Sequence, residues 1–118
     1  MEVESILSKD SLDLTDDDRQ LIRRKIEAEP CERIVVTHGT DTMIQTARML
    51  QGLAGKTIVL TGSLQPARFK GTDAPFNVGV AIGAAQVLPP GVYIAMGGEI
   101  YDPEKVRKNR AASRFELI

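Results

Sequence analysis

The sequence predicts an α/β fold: a doubly wound, mainly parallel sheet with helices on both faces. Three short apolar segments rich in β-branched residues are typical of buried strands, namely Arg33–Thr37, Lys56–Thr61 and Val92–Met96. The segments between them, Met43–Leu50 and Phe76–Leu88, carry apolar residues at helical spacing or small residues that allow close packing on a sheet. Strands that alternate with helices favour a parallel sheet.

Two further elements are predicted before the first of these strands. Glu2–Leu7 alternates polar and apolar residues, which indicates a short strand. Thr15 and Asp18 form the pattern of a capping box, which predicts the start of a helix. Ile22 contributes to the apolar stripe of this helix, and Pro30 ends it.

The polar turn after Arg33–Thr37 is the first candidate for a functional site. Gly39 permits a tight turn, and Thr40, Asp41 and Thr42 are suitable residues for opening a helix. Two hydroxyls and a carboxylate therefore lie at the carboxyl end of a strand, where open α/β sheets bind their ligands. The N–H groups of the helix N-terminus favour negative charge there.

The second half of the chain continues the alternation. A loop begins at Gly62, after the second strand, and Asp73 with Pro75 predicts the next helix start. Pro89–Gly91 ends that helix, and the last strand is followed by a basic segment, Lys105–Arg114. No repeat or linker divides the chain, so residues 1–118 are predicted to form one domain.

The composition excludes several classes of function. Of 118 residues, 42% are hydrophobic and 26% charged, which is ordinary for a globular protein. The formal net charge of -1 gives no field that would recruit nucleic acid or an anionic membrane, so neither is predicted as a partner. The single cysteine, Cys31, allows no intramolecular disulfide and no zinc cluster. With no membrane span or signal peptide evident, we expect a cytoplasmic location.

The stretch Thr37–Met43, with the sequence Thr-His-Gly-Thr-Asp-Thr-Met, resembles the second signature of the bacterial-type L-asparaginases. Further stretches resemble that family in the same order, namely Lys56–Pro66, Asp73–Asn77 (Asp-Ala-Pro-Phe-Asn), Val92–Asp102 and Lys105–Phe115. The resemblance covers nearly the whole chain and matches best the short, single-domain asparaginase-like proteins without a C-terminal domain. It implies the parallel α/β fold of the asparaginase N-terminal domain.

The resemblance also implies an activity and its residues. The family hydrolyses the side-chain amide of L-asparagine to L-aspartate and ammonia, without a metal or cofactor. Thr40 matches the second catalytic threonine, and Asp41 matches the aspartate that contacts the substrate amino group. Lys108 aligns best with the lysine that forms a triad with these two, and Lys105 is the alternative register.

Further roles follow from the same resemblance. Ser11 lies in a stretch similar to the loop that binds the substrate α-carboxylate, although capping of a loop explains it equally well. Ser63 lies where the family presents a backbone carbonyl to the substrate amide. His38 is implied to hold the turn by hydrogen bonds rather than to act as a base. The family generally completes its sites with neighbouring subunits, so we expect a homo-oligomer.

The sequence departs from the family pattern at its start. Family members begin with a strand that ends in Thr-Gly-Gly-Thr-Ile, whose threonine is the usual nucleophile, and a tyrosine follows on a loop. This sequence begins downstream of both, and neither Tyr93 nor Tyr101 matches that tyrosine. We expect either a truncated product that is slow or inactive by itself, or a chain in which Thr40 is a substitute nucleophile with Lys108 as its base.

Two non-enzymatic interpretations stand beside this one. A non-catalytic α/β module could bind a small amino acid or a protein partner through the same polar turn. A nucleotide-binding module is disfavoured, because the sequence has neither a Gly-x-Gly-x-x-Gly turn nor a Walker-type loop.

Overall fold

A computed structural model describes residues 13–64 and 72–118 of the chain. These residues form a four-stranded sheet, a separate two-stranded hairpin and the helices that pack on them. The helices are α1 (Asp16–Ala28), α2 (Met43–Met49), α3 (Ala74–Val87) and a 3-10 helix (Pro103–Lys105). The strands are β1 (Arg33–Thr37), β2 (Thr57–Thr61), β3 (Gly91–Met96), β4 (Glu99–Tyr101), β5 (Val106–Asn109) and β6 (Arg114–Leu117). Ser11 and the predicted strand Glu2–Leu7 lie outside the described residues.

The four-stranded sheet has the order β1-β2-β3-β4. The first three strands are parallel, and Val35, Val59 and Tyr93 are neighbours across them. Strand β4 adds an antiparallel edge, where Ile100 pairs with Ala95. The predicted parallel arrangement of the three apolar strands is confirmed, and the antiparallel edge strand makes the sheet mixed.

Helices cover both faces of this sheet. Strand β2 is buried along its whole length, and successive side chains on a strand point to opposite faces. Ile58 and Leu60 belong to the larger apolar cluster, together with side chains of α1 and α2. Val59 belongs to a second cluster with Ala81 and Ala85 of α3. The doubly wound α/β fold predicted from the sequence is therefore confirmed.

Helix α1 begins at the predicted capping box. Thr15 Oγ1 accepts from the backbone N–H of Asp18 at 3.1 Å, and Asp18 Oδ2 accepts from the backbone N–H of Thr15 at 3.0 Å. On the same helix, Arg23 donates to the backbone carbonyls of Met49 and Gln51 at 2.8 and 2.7 Å. Arg23 thus satisfies the last carbonyl of α2, at a helix end where carbonyls lack intrahelical partners, and a second carbonyl just beyond the helix.

The β5–β6 hairpin is not among the elements predicted from the sequence. Its strands are antiparallel, and Lys108 pairs with Phe115. Val106 and Phe115 are buried in the same apolar cluster as residues of α1 and α2, so the hairpin packs on that side of the sheet. Because Val106 and Lys108 are two residues apart on one strand, they point to the same face. Burial of Val106 therefore directs Lys108 toward the body of the domain.

Candidate active site

The turn between β1 and α2 is held against the end of β2. The backbone N–H of His38 donates to the carbonyl of Thr61 at 2.9 Å. A Cβ atom at Gly62 would lie 2.2 Å from the backbone oxygen of His38, so only glycine fits at this position. The two strand ends are thus in close contact. Thr40, at the far side of this turn, is 8% exposed.

Lys108 bridges the two polar side chains of the turn. Its Nζ donates to Thr40 Oγ1 at 2.8 Å and to Asp41 Oδ1 at 2.6 Å. The side chain of Lys108 is 13% exposed and that of Asp41 is 36% exposed. Arg110 adds a second, longer contact, with its Nε 3.8 Å from Asp41 Oδ1. The structure therefore brings Thr40, Asp41 and Lys108 into one cluster that solvent reaches through Asp41.

The carboxylate of Asp41 in this cluster is ionised at neutral pH. The hydrogen bond from Lys108 holds the pKa of Asp41 below its ordinary value of 3.8, and the charges of Lys108 and Arg110 act in the same direction. In the ion pair Lys108 donates to both oxygens. Thr40 Oγ1 is therefore an acceptor, and its own proton is available for another partner. Lys105, the alternative lysine, is exposed on the 3-10 helix.

His38 makes a hydrogen bond through each ring nitrogen. Nδ1 lies 2.6 Å from the Gly39 carbonyl oxygen, and Nε2 lies 2.9 Å from Thr46 Oγ1. Burial lowers the pKa of His38 below 6.5 and the charge of Arg19 adds to this effect, whereas the bond to the Gly39 carbonyl opposes it. His38 is thus neutral at pH 7, and its contacts agree with the predicted role of holding the turn.

Ser63 belongs to a second polar cluster, at the end of β2. Its hydroxyl is hydrogen bonded to Asp73 Oδ1 and lies 2.9 Å from Thr72 Oγ1. The other carboxylate oxygen, Asp73 Oδ2, accepts from the backbone N–H of Leu64 at 3.0 Å. Asp73 precedes α3 as predicted, but its carboxylate binds the Ser63 turn and makes no cap bond to the helix. The proposed contact between the Ser63 carbonyl and a substrate stays a prediction.

Asn77 completes this cluster, although it is not among the site residues predicted from the sequence. It is 1% exposed, and its Nδ2 donates to the Gly62 carbonyl and to Asp73 Oδ2, both at 2.9 Å. Its Oδ1 accepts from the backbone N–H of Gly97 at 3.1 Å. Asn77 therefore joins the end of β2 to the β3–β4 turn. Two signals in the sequence point to Asn77: it belongs to the family-like stretch Asp73–Asn77, and its four-residue spacing from Asp73 places both side chains on one helical face.

An open cleft of about 400 Å³ lies between α2 and the β5–β6 hairpin. Asp41 and Lys108 form part of its lining, and Ile44 and Val106 contribute apolar surface. The volume is in the range of sites for small molecules. No group of three side chains suited to a metal occurs in residues 13–64 and 72–118. Within the same ranges, no helix is long and apolar enough to cross a membrane.

Comparison with known proteins identifies the family. Residues 1–116 match the family model described as "Asparaginase, N-terminal". The chain belongs to the asparaginase family. Its sequence is 34% identical over 113 residues to an L-asparaginase of Thermococcus kodakarensis, covering 92% of this chain and 34% of the relative. It is 36% identical over 104 residues to a glutamyl-tRNA(Gln) amidotransferase subunit of Methanococcus vannielii, covering 80% of this chain and 24% of the relative.

A solved asparaginase-family structure has the same fold. The crystal structure of a probable cytoplasmic L-asparaginase from Campylobacter jejuni superposes with a TM-score of 0.82 and 31% sequence identity, covering 89% of this chain and 36% of that one. The family and fold inferred from Thr37–Met43 and the stretches after it are thereby confirmed. The chain spans only about a quarter to a third of these relatives, so the activity of a whole family member does not transfer directly to it.

Proposed function

We propose that this chain supplies the threonine–aspartate–lysine part of an amidohydrolase site that converts L-asparagine to L-aspartate and ammonia. The observation that carries the proposal is the bridge from Lys108 Nζ to Thr40 Oγ1 and Asp41 Oδ1, at 2.8 and 2.6 Å. A relative named L-asparaginase, 34% identical to this chain, supports the choice of reaction.

Each of the three side chains has a role that its environment favours. The ionised and partly exposed carboxylate of Asp41 suits the α-ammonium group of an amino acid. Thr40 Oγ1 keeps a proton that it can donate to the amide or pass to a base. Lys108 becomes a base for Thr40 only after it has lost its own proton, because an ammonium group cannot accept one.

The rate at which this chain by itself would hydrolyse L-asparagine depends on whether it supplies a nucleophile. The 118 residues contain no Thr-Gly-Gly-Thr-Ile segment, which carries the usual nucleophile in the bacterial-type L-asparaginases that the sequence resembles. Loss of a nucleophile commonly lowers kcat by about 10⁴-fold or more, since the members of a catalytic set act as a unit. We therefore expect the 118-residue chain to bind its substrate and to hydrolyse it very slowly.

An ammonia-release assay with L-asparagine tests the proposal on two proteins: the 118-residue chain and a longer chain that adds a Thr-Gly-Gly-Thr-Ile strand upstream. Activity of the longer chain that is lost in Lys108→Met and kept in Lys105→Met supports the assigned lysine. Full activity of the short chain that Thr40→Val abolishes would make Thr40 the nucleophile. Absence of both activity and asparagine binding in the two proteins would favour a non-catalytic α/β module.

A second candidate function is that of an amidotransferase component. It is favoured by the 36% identity to a relative named as a glutamyl-tRNA(Gln) amidotransferase subunit. A protein with this function would work together with other chains, so a protein partner is part of the second proposal. Ammonia release from an amide donor that rises on addition of glutamyl-tRNA(Gln) would favour it. Release that is independent of tRNA would favour the hydrolase.

We also propose a homo-oligomer and a cytoplasmic location. The Campylobacter jejuni relative is described as a probable cytoplasmic L-asparaginase, which supports the location, and the oligomer is suggested by the family resemblance alone. Light scattering that gives the mass of one chain at micromolar concentration would contradict the oligomer. Fractionation of the source cells would test the location.

A further inference from the structure

A chain of hydrogen bonds, buried at its Arg19–Thr46 end, leads from α1 to the turn that carries Thr40. Arg19 on α1 is 7% exposed, and its Nε donates to Thr46 Oγ1 at 3.0 Å. Thr46, on α2, is fully buried and lies 2.9 Å from His38 Nε2. His38 Nδ1 in turn lies 2.6 Å from the carbonyl oxygen of Gly39, the residue before Thr40.

The direction of each proton follows from the groups at the two ends of this chain of hydrogen bonds. A guanidinium group can only donate, so Thr46 Oγ1 accepts from Arg19. The Gly39 carbonyl can only accept, so His38 Nδ1 carries a proton and donates to it. A neutral imidazole has one N–H group, so Nε2 is an acceptor and the Thr46 hydroxyl donates to it.

The neutral form of His38 is the one that satisfies every group. A charged imidazole would also donate from Nε2 toward Thr46 Oγ1, and the Thr46 proton would have to leave its present acceptor. It would in addition place a second positive charge in a buried region near Arg19. Both effects oppose protonation, in the same direction as the burial that lowers the pKa of His38.

Arg19 is itself held in place by the start of α1. Its NH1 nitrogen donates to the backbone carbonyl of Leu14 and to Asp16 Oδ1, both at 3.4 Å. The guanidinium group is thereby oriented by the helix start, and Nε is left to point at Thr46. Because a peptide bond is planar, holding the Gly39 carbonyl also fixes the orientation of the backbone N–H and Cα of Thr40.

We propose that Arg19 is a positioning residue for Thr40: by orienting the Thr46 hydroxyl toward His38 Nε2, it reinforces the His38 tautomer that holds the Gly39–Thr40 peptide. The importance of this role for catalysis rests on the proposed function of Thr40. The hydrogen bonds from Arg19 to Gly39 and the tautomer of His38 do not depend on that function, and they are measured separately.

The tautomer is measured directly because His38 is the only histidine of the protein. Nitrogen-15 NMR of the imidazole distinguishes a protonated Nδ1 from a protonated Nε2 without any assignment between residues. For the wild-type protein at pH 7.5 we expect one tautomer, with the proton on Nδ1. If the Nε2-protonated tautomer predominates in the wild-type protein, the proposal is overturned before any variant is made.

Two pairs of variants test the links. Thr46→Val keeps the shape and removes the hydroxyl, so we expect the Nε2-protonated tautomer to become populated, and Thr46→Ser should restore the wild-type spectrum. Arg19→Met keeps much of the chain length and removes the donor, and we expect a mixture of tautomers. Arg19→Lys keeps the charge and lacks Nε, so its expected failure to restore the spectrum separates geometry from charge.

The control is Arg24→Met, at an exposed position on the same helix, which should leave the tautomer unchanged. An unchanged tautomer in folded Arg19→Met would overturn the role of Arg19. If that variant does not fold, the Thr46→Val and Thr46→Ser pair decides, and an unchanged tautomer in Thr46→Val would overturn the proposal.

The catalytic consequence is a separate readout. In the longer, active chain, folded Arg19→Met should lower kcat by about tenfold or more, since small misplacements of a catalytic group cost at least this much. KM should change less, because Asp41 is not held by this chain of hydrogen bonds. If wild type shows the Nδ1-protonated tautomer and no amidohydrolase activity, the proposed function fails and the hydrogen-bond chain stands.

Discussion

Lys108 Nζ lies 2.6 Å from Asp41 Oδ1, although the two residues are 67 positions apart in the chain. The contact joins the β5–β6 hairpin to the turn between β1 and α2. Its geometry depends on burial of Val106 and Phe115, which hold the hairpin in the apolar cluster. The candidate site is therefore a product of the packed domain rather than of one local motif.

The titration of Asp41 tests this pair directly. In Lys108→Met the pKa of Asp41 should rise toward 3.8, because the hydrogen bond that lowers it is lost. Since the folded-state pKa is the lower one, the stabilisation by this group is present above pH 3.8 and is lost as the pH falls through the folded value. Carbon-13 NMR of the carboxyl group measures the shift. An unchanged titration in the variant would contradict the ion pair.

Ligand binding should depend on the charge of Asp41. Asp41→Asn keeps the shape of the side chain, and we expect it to weaken L-aspartate binding by about tenfold or more, since a hydrogen bond to a charged group contributes about 1.5–3 kcal/mol. Titration calorimetry gives the two affinities. Asp17→Asn, at an exposed position in the first turn of α1, is the matched control and should bind like wild type. Equal binding by wild type and Asp41→Asn would remove Asp41 from the site.

Asn77 should be important for stability. Its replacement by alanine removes hydrogen bonds to the half-buried Gly62, to Asp73 and to the exposed Gly97, and each such bond contributes about 0.5–1.5 kcal/mol. We expect Asn77→Ala to lower the free energy of unfolding by about 1–4 kcal/mol in urea titrations. The exposed Gln86→Ala on the same helix should change it by less than about 0.5 kcal/mol. A loss below about 1 kcal/mol for Asn77→Ala would refute the bridging role.

Two glycine substitutions should have opposite effects. Alanine at Gly62 would place its Cβ 2.2 Å from the His38 backbone oxygen, so the two strand ends must separate. We expect a loss of more than about 3 kcal/mol, at the upper end of ordinary point mutations. At Gly83, in α3, a Cβ meets nothing within 4 Å, and alanine should stabilise the protein by about 0.5–1 kcal/mol. Thermal unfolding compares the two variants, and a stable Gly62→Ala would show that the close approach is wrong.

The pH dependence of stability should include a contribution from His38. Its folded-state pKa is below 6.5, so the unfolded chain binds a proton more readily than the folded one. The free energy of unfolding should therefore decrease as the pH falls below 6.5, and this decrease should stop once the pH is below the folded-state pKa of His38. His38→Gln should be less stable at pH 7 and should lack this part of the pH dependence. An equal slope in wild type and His38→Gln would show that His38 does not titrate as described.

The elements that could be predicted are those whose signal is local. The strand Arg33–Thr37 and the capping box of Thr15 and Asp18 are recognisable because a few neighbouring residues determine them, and both are confirmed. The hairpin Val106–Leu117 could not be predicted in the same way. Its residues are mostly basic and polar, and only Val106 and Phe115 are buried apolar anchors, which gives too little periodicity to define strands.

The sequence by itself determined the family, the fold class and the turn that presents Thr40 and Asp41. The fold class and the turn depend on hydrophobic periodicity and on residue types within a few positions of one another, whereas the family was indicated by the resemblance of Thr37–Met43 and the stretches after it. Only the tertiary structure decided that Lys108 rather than Lys105 lies beside them, and that Arg19 and Asn77 are linked to the two turns of the site. Such contacts join distant segments, and their geometry depends on how the apolar faces of helices and strands pack, which a single sequence does not display.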